Sequence, residues 1–187
     1  MVLTLSCMSV FGADTGTKIA DVVLGDIRIV TTASTNVRSG SVTIKVKDVF
    51  TRDGKTNLVR RTTTKDSSVQ IRIQQLFHDG LKVADLIAMQ DSSSTTTQGG
   101  TPWTVGFSYG SSNELRFAAI STKDGVILDA FTCTNGMLFP ATKSIIQKAN
   151  DVGVDVKDLL SPEHVKKTTP QDFRRDVEDL IEKHKGK

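Results

Sequence analysis

Hydrophobic and polar residues alternate along much of the first 140 positions, which is the pattern of β-strands with one buried face. In residues 41–50 the polar positions include Lys45 and Lys47, which therefore share the face opposite the apolar side chains. The same alternation in residues 68–77 puts four apolar side chains on one face, namely Val69, Ile71, Ile73 and Phe77. Both runs predict long strands that turn their apolar face toward a core.

Turn dipeptides that favour tight hairpins separate the alternating runs. They are Asp53-Gly54, Asp79-Gly80, Asp124-Gly125 and Asn135-Gly136. A hairpin centred on the second of these would pair Ile73 with Leu86 and Ile71 with Ala88, so that apolar residues lie opposite each other. Together, the runs and turns predict about eight strands in antiparallel meander order, forming a curved sheet or a partly closed barrel.

Three segments depart from the alternation. Residues 91–102 are rich in hydroxyl side chains that compete for backbone hydrogen bonds, so we expect a solvated connecting loop there. Residues 141–153 predict a helix that starts near Thr142 and ends at Gly153. Residues 168–187 predict a second helix, whose apolar stripe is Phe173, Val177, Leu180 and Ile181.

The predicted fold class is α+β, with an antiparallel β domain over residues 13–140 and a helical segment over residues 141–187 that packs on it. As an alternative to packing on the β domain, the apolar stripe of the last helix could bind a partner protein. Hydrophobic residues at 37% and charged residues at 24% are typical of a globular domain. No apolar run reaches the roughly 20 residues that cross a bilayer, so no transmembrane span is expected.

The first 13 residues carry no charge, and residues 2–11 have the length of the apolar part of an export signal. Val10 and Gly12 occupy the −3 and −1 positions for cleavage before Ala13. No Lys or Arg precedes the apolar run, so an N-terminal strand and lipidation at Cys7 are the alternatives. Residues 1–12 are predicted to be a signal peptide, which places the mature protein in the periplasm or outside the cell with Cys133 as its one cysteine.

Candidate catalytic groups are few, and no motif supports them. Cys133 and His78 form a conceivable nucleophile and base, with Asp129 as the orienting acid. Asp129 lies in an apolar strand, where an ion pair with Arg116 of the neighbouring strand would neutralise it, although Glu114 on the same face leaves an acid pair open. The sequence contains no compact metal-binding or phosphate-binding motif, so neither a metal nor a cofactor is predicted.

Basic residues concentrate between positions 42 and 72, where eight cations and three acids give a net charge of +5. Such a surface suits a polyanion, such as an acidic glycan or lipid headgroups. Aromatic residues for base stacking are missing apart from Phe50, which argues against nucleic acid. A solvated face that protects strand edges explains the same charges. The candidate ligand-binding residues are Lys45, Lys47, Arg60, Arg61, Arg72 and the only tryptophan, Trp103.

Three classes of function are compatible with these features. The favoured one is an exported, non-enzymatic β-rich binding or structural module of the cell envelope or extracellular space, with a protein, polyanion or glycan partner. The second is a carrier that holds a lipid-like molecule between sheet and helix, in a cavity lined by Ile71, Ile73, Leu86, Phe107, Phe117 and Leu128. The third is a hydrolase that uses Cys133 or Asp129.

Overall fold

A computed structural model describes residues 16–110, 112, 114–151 and 153. These residues form antiparallel strands and one short helix. In chain order they are β1 (Thr17–Leu24), β2 (Ile27–Arg38), β3 (Ser41–Arg52), β4 (Lys55–Lys65), β5 (Ser68–His78), β6 (Leu81–Met89), β7 (Ser92–Thr97), β8 (Thr104–Tyr109), β9 (Leu115–Ser121), β10 (Ile127–Thr134), β11 (Met137–Pro140) and α1 (Lys143–Asp151). The antiparallel α+β class is confirmed. The described residues contain eleven strands rather than about eight, and one helix.

The first seven strands form one sheet, in which each strand pairs with its neighbours in sequence as the meander prediction required. Asp53 and Gly54 turn β3 into β4 with φ angles of 51° and 76°. Asp79 and Gly80 turn β5 into β6 with φ angles of 51° and 80°. Two successive positive φ angles are what a two-residue hairpin requires, and Gly and Asp tolerate them better than most residues. The Asp-Gly dipeptides therefore determine where these strands reverse.

The last four strands form a second sheet in the order β11-β10-β9-β8, which packs on the first. Phe50, Leu58 and Leu76 of the seven-stranded sheet meet Ile120 and Phe131 of the four-stranded sheet in one buried core. We call the side of the seven-stranded sheet that carries this core its inner face, and the opposite side its outer face. Neither sheet closes on itself, so the arrangement is an open pair of layers.

The helix α1 covers the side of the four-stranded sheet that faces away from this core. Ile146 and Ala149 of the helix pack with Ile127 of β10. Asn150 fastens the helix to the same strand, because its side-chain amide accepts from the Ile127 N–H and donates to the Ile127 carbonyl, both at 2.9 Å. The prediction of a helix within residues 141–153 is confirmed.

The hydroxyl-rich segment over residues 91–102 is not the continuous loop that its composition predicted. Ser92–Thr97 forms β7, which pairs with β6 at the edge of the seven-stranded sheet and is exposed along its whole length. Threonine has a high β propensity, and an edge strand needs no apolar side chains when it hydrogen-bonds to its neighbour. The prediction was wrong because pairing with β6 outweighs local competition by the hydroxyl groups.

The hairpin of β5 and β6 has a different register from the one predicted. The observed pairs are Ile73–Ile87 and Ile71–Met89. Leu76 pairs with Ala84 and Phe77 pairs with Lys82, so Val83 is the extra residue of a β-bulge in β6 that shifts the pairing by one residue and places Leu86 opposite Gln74. Gln74 and Leu76 are buried in the inner face, whereas Ile71 and Ile73 lie on the outer face.

Two predicted segments lie outside the described residues, namely the signal peptide over residues 1–12 and the helix over residues 168–187. The packing of that helix on the β domain likewise concerns residues that the structure does not describe, so all three statements stay predictions. In the part of the chain that is described, no helix is long and apolar enough to cross a membrane.

Candidate functional site

A cluster of polar side chains lies at one end of the two layers, where hairpin turns of the seven-stranded sheet meet β10. We call it the polar cluster, and its members are Asp26, Arg52, Asn57, His78 and Asp129. Asp129 comes from β10, and the other four come from strand ends or turns of the seven-stranded sheet. The cluster therefore joins the two sheets through hydrogen bonds where the apolar core ends.

Both oxygens of the Asp129 carboxylate have partners from the other sheet. Arg52 Nη1 donates to Asp129 Oδ1 at 2.7 Å, and Asn57 Nδ2 donates to the same oxygen at 2.9 Å. His78 Nδ1 contacts Asp129 Oδ2. The Asp129 side chain is only 7% exposed, so these groups replace the water that would otherwise solvate it. Arg52 Nε also donates to Asp26 Oδ2 at 2.7 Å, so one guanidinium links two carboxylates.

The predicted ion pair between Asp129 and Arg116 is wrong. Asp129 pairs with Ile120 of β9, and a bulge beside Asp129 shifts the register. Arg116 lies four residues from Ile120, about 13 Å along the strand, and binds Glu114 there. Glu114 lies two residues farther from Ile120 than Arg116 does, so the acid pair is not assembled.

His78 is held from two sides. Its Nδ1 faces Asp129, and its ring meets Trp103 edge to face, with ring centres 4.7 Å apart at an interplanar angle of 83°. A carboxylate at Nδ1 can orient a general base, which acts through Nε2 on a nucleophile about 3 Å away. Cys133 lies four residues beyond Asp129, about 13 Å along β10, so the pairing of Cys133 with His78 is not assembled either.

Near the other end of β10, residues of both sheets line a space of about 870 Å³, which we call the groove. Leu86 of β6, Leu115 of β9 and Cys133 of β10 form its apolar floor. Burial raises the pKa of the Cys133 thiol above its ordinary value, so the thiol stays protonated at neutral pH and behaves as an apolar group.

Charged and hydroxyl groups form the rim of the groove. Arg116 donates to Glu114 Oε1 from Nη2 at 2.6 Å and from Nε at 2.9 Å. This guanidinium lowers the pKa of the Glu114 carboxyl, which is therefore ionised at neutral pH. The Tyr109 hydroxyl donates to the Thr95 hydroxyl at 3.2 Å and so connects the edge strands of the two sheets. The groove thus combines an apolar floor with a polar entrance.

Three of the predicted ligand-binding residues come together on the outer face. Lys47 of β3 stands directly opposite Arg61 of β4, and Lys45 lies two residues before Lys47 on the same face. The three side chains surround a hollow of about 190 Å³, which we call the basic hollow. Their role in ligand binding stays a prediction.

The other three predicted residues lie elsewhere. Arg60 is buried in the inner face, where its Nε donates to Asp48 Oδ2 at 2.8 Å and its guanidinium covers the Phe139 ring at 4.9 Å. Arg72 also points inward, with Nη1 at 3.3 Å from carbonyl oxygens of the turn between β10 and β11. Trp103 packs on the core beside the polar cluster. Successive residues of a strand face opposite ways, so consecutive cations cannot form one patch.

The sequence-based reasoning missed the residues that form the rim of the groove. Of the six residues predicted to line a cavity, only Leu86 lines the groove. Two signals were present in the sequence: Tyr109 is the only tyrosine, and Glu114 and Arg116 have the spacing that puts both on one face of a strand. Neither signal specifies that a second sheet lies opposite.

Among the residues that the structure describes, no group of three or more His, Cys, Asp and Glu side chains could hold a metal ion. No protein-family model matches the chain, and neither a curated protein nor a solved structure matches it. Any assignment of function therefore depends on the geometry of the polar cluster, the groove and the basic hollow.

Proposed function

We propose that this protein is a non-enzymatic binding module that holds a small amphiphilic molecule in the groove between its two sheets. The observation that carries the proposal is the space of about 870 Å³ with an apolar floor and a charged rim. Ligand pockets commonly measure about 300–1,000 Å³ and combine mostly apolar walls with a few polar groups that orient the ligand. The proposal joins the predicted binding module to the predicted carrier, with the ligand between two sheets rather than between sheet and helix.

The apolar floor supports binding of a hydrocarbon chain or ring. Leu86, Leu115 and the protonated thiol of Cys133 offer no charged group with which such a ligand would compete. Burial of apolar ligand surface against them contributes about 25 cal/mol per Å² removed from water. The floor therefore provides affinity without selecting one chemical structure.

The rim supports recognition of a polar or anionic end of the ligand. Arg116 already binds one carboxylate, that of Glu114, and a guanidinium binds carboxylates and phosphates through parallel N–H donors. Both side chains are partly exposed, so a ligand carboxylate can reach Arg116 from solvent. An amphiphile with its apolar part on the floor and its acidic end at Arg116 satisfies both regions.

Fluorescence titration with two probes tests the proposal. N-phenyl-1-naphthylamine is apolar, whereas dansyl-undecanoic acid carries a carboxylate at the end of an apolar chain. Ser93 lines the groove from the exposed strand β7, so Ser93→Trp should fill the groove and weaken the binding of both probes about tenfold or more. Arg116→Gln should weaken the binding of the acid about tenfold and leave the binding of the apolar probe nearly unchanged.

Ser92→Trp is the matched control, because Ser92 is the preceding exposed residue of the same strand, points to the opposite face and does not line the groove. It should bind both probes as the unchanged protein does. Equal binding by the two tryptophan variants would contradict the proposal, as would an absence of binding by the unchanged protein. Circular dichroism should show the same β-structure in all variants.

The location outside the cytoplasm, predicted from residues 1–12, stays part of the proposal. A carrier of amphiphiles is useful between membranes or in the extracellular space, where such molecules are poorly soluble in water. The hydrolase alternative has less support, because Arg52, Asn57 and His78 account for Asp129 as a buried carboxylate with structural partners.

A further inference from the structure

The outer face of the seven-stranded sheet carries three cations that lie close together. Lys47 and Arg61 are directly opposed on β3 and β4, and Lys45 follows on the same face. Within the described ranges, none of the three forms an ion pair. Like charges directly opposite each other destabilise a pair of strands, so this arrangement indicates that an anion from outside completes it.

The basic hollow has the chemistry of an anion site. Thr32 and Thr63 line it together with the three cations, and its volume is about 190 Å³. Arg61 Nη1 donates to the side-chain carbonyl of Gln75, which holds the guanidinium along the sheet. Ammonium, guanidinium and hydroxyl groups are all donors to phosphate oxygens.

Apolar side chains adjoin the basic hollow on the same face. Ile71 and Ile73 line its edge, and Ile87 and Met89 pair with them on β6. Met89 is 57% exposed, and the three isoleucines are half-buried. Ile73 shares this face with Arg61 because the two residues are directly paired across β4 and β5. Cations beside uncovered apolar residues are typical of proteins that bind anionic membranes, since the cations meet headgroups while the apolar groups enter the boundary with the acyl chains.

We propose that this face docks on an anionic lipid surface, with a headgroup phosphate in the basic hollow and the isoleucines and Met89 against the acyl boundary. A soluble polyanion would use the cations and leave the apolar neighbours without a role. The described residues that line the hollow include no aromatic side chain on which a nucleic-acid base could stack. The face lies on the opposite side of the sheet from the groove, so membrane docking is independent of the proposed ligand site.

Co-sedimentation of the full chain with lipid vesicles tests this assignment. The full chain should bind vesicles of phosphatidylcholine with about 30% phosphatidylglycerol, and should not bind phosphatidylcholine vesicles. Lys45→Gln/Lys47→Gln should weaken the binding about 30-fold, since each cation near an anionic surface contributes a factor of about five. Added salt should weaken the binding of the unchanged protein more than that of the variant, because salt screens the cations.

The matched control is Lys123→Gln/Lys148→Gln, which removes the same charge from two exposed lysines on the second sheet and α1. It should bind the anionic vesicles nearly as the unchanged protein does. An equal loss in both double variants would overturn the assignment to this face. Binding to heparin without binding to anionic vesicles would overturn the lipid surface as partner.

The melting temperature of Lys45→Gln/Lys47→Gln should stay the same or rise, because the variant removes the repulsion from Arg61.

Discussion

The Asp129 carboxylate of β10 is buried between the two sheets, where bulk water does not solvate it. Arg52 and Asn57 donate to one of its oxygens, and His78 contacts the other. The Arg52 side chain is itself only 10% exposed and is shared between Asp129 and Asp26. When one member of a buried ion pair is removed, the remaining charge loses its partner without regaining its water.

We therefore expect Asp129→Asn to lower the free energy of unfolding by about 2 kcal/mol, because Arg52 and Asn57 lose hydrogen bonds to an ionised acceptor while Arg52 keeps its ion pair with Asp26. Urea denaturation followed through Trp103 fluorescence measures the change, since Trp103 is the only tryptophan and lies beside His78. Asp124→Asn alters an exposed acid in the turn before β10 and should change stability by less than about 0.5 kcal/mol. Unchanged stability together with loss of a measurable hydrolysis would instead assign a catalytic role to Asp129.

At the scale of the strand, the side chains of two neighbouring arginines of β4 point to opposite faces of the sheet. Arg61 reaches the basic hollow, whereas Arg60 points inward and pairs with Asp48 of β3. The Arg60 guanidinium lies over the Phe139 ring of β11, and the Thr31 hydroxyl of β2 donates to Asp48 Oδ1 at 2.8 Å. One buried ion pair thus connects strands β2, β3 and β4 with the second sheet.

A double-mutant cycle measures how strongly this pair couples those strands. Arg60→Met should lower the free energy of unfolding by about 3–5 kcal/mol, because it leaves the Asp48 carboxylate buried without its cation. Asp48→Leu should have a similar effect on the buried guanidinium. The double variant Arg60→Met/Asp48→Leu should lose less than the two single changes together, since no charge is then left unpaired. Additive losses in urea denaturation would contradict the ion pair as the source of the effect.

The strand β5 turns a polar residue toward the core and apolar residues away from it. Gln74 lies inside, where its Nε2 donates to the Gly136 carbonyl at 2.9 Å and its Oε1 accepts from the Leu138 N–H at 2.6 Å. Ile71 and Ile73 lie on the outer face beside the cations, and the β-bulge at Val83 of β6 brings Leu86 opposite Gln74. A simple alternation of apolar and polar residues predicts the reverse arrangement, so the sequence pattern alone assigned the wrong face to the core.

At the scale of the whole molecule, the two layers separate three features of different chemistry. The polar cluster lies at one end of the layers, the groove lies at the other, and the basic hollow lies on the outer face. Because the groove and the basic hollow face opposite sides of one sheet, the proposed amphiphile and the proposed lipid surface would not compete for the same residues. The proposed carrier can therefore approach a membrane without covering its ligand site.

Export is the prediction that concerns the molecule as a whole. Mass spectrometry of the protein isolated from its native cells should show an N-terminus at Ala13, because the apolar stretch over residues 2–11 has the length that signal peptidase substrates require. Thiol titration of the denatured mature protein should then give one cysteine rather than two. A cytosolic protein that begins at Met1 would contradict both export and the extracytoplasmic carrier.

The sequence by itself predicted the antiparallel β class, the meander order and the helix after Pro140, but it indicated about eight strands where the described residues contain eleven. These features follow from information within a few residues: a two-residue alternation, Asp-Gly pairs that accept positive φ, and a change to helical spacing. The hydroxyl-rich strand β7 escaped this reasoning because its pairing, not its composition, makes it a strand.

Only the tertiary structure decided which face of each strand is buried and which residues meet. Asp129 finds Arg52 and His78 at separations of 77 and 51 residues, and no local pattern specifies partners at that distance. The groove exists because residues of both sheets face each other across it, and the basic hollow exists because register places Lys47 opposite Arg61. Register and the packing of one sheet on another depend on the summed burial of the whole chain, which is why the chemistry of these sites emerges only after folding.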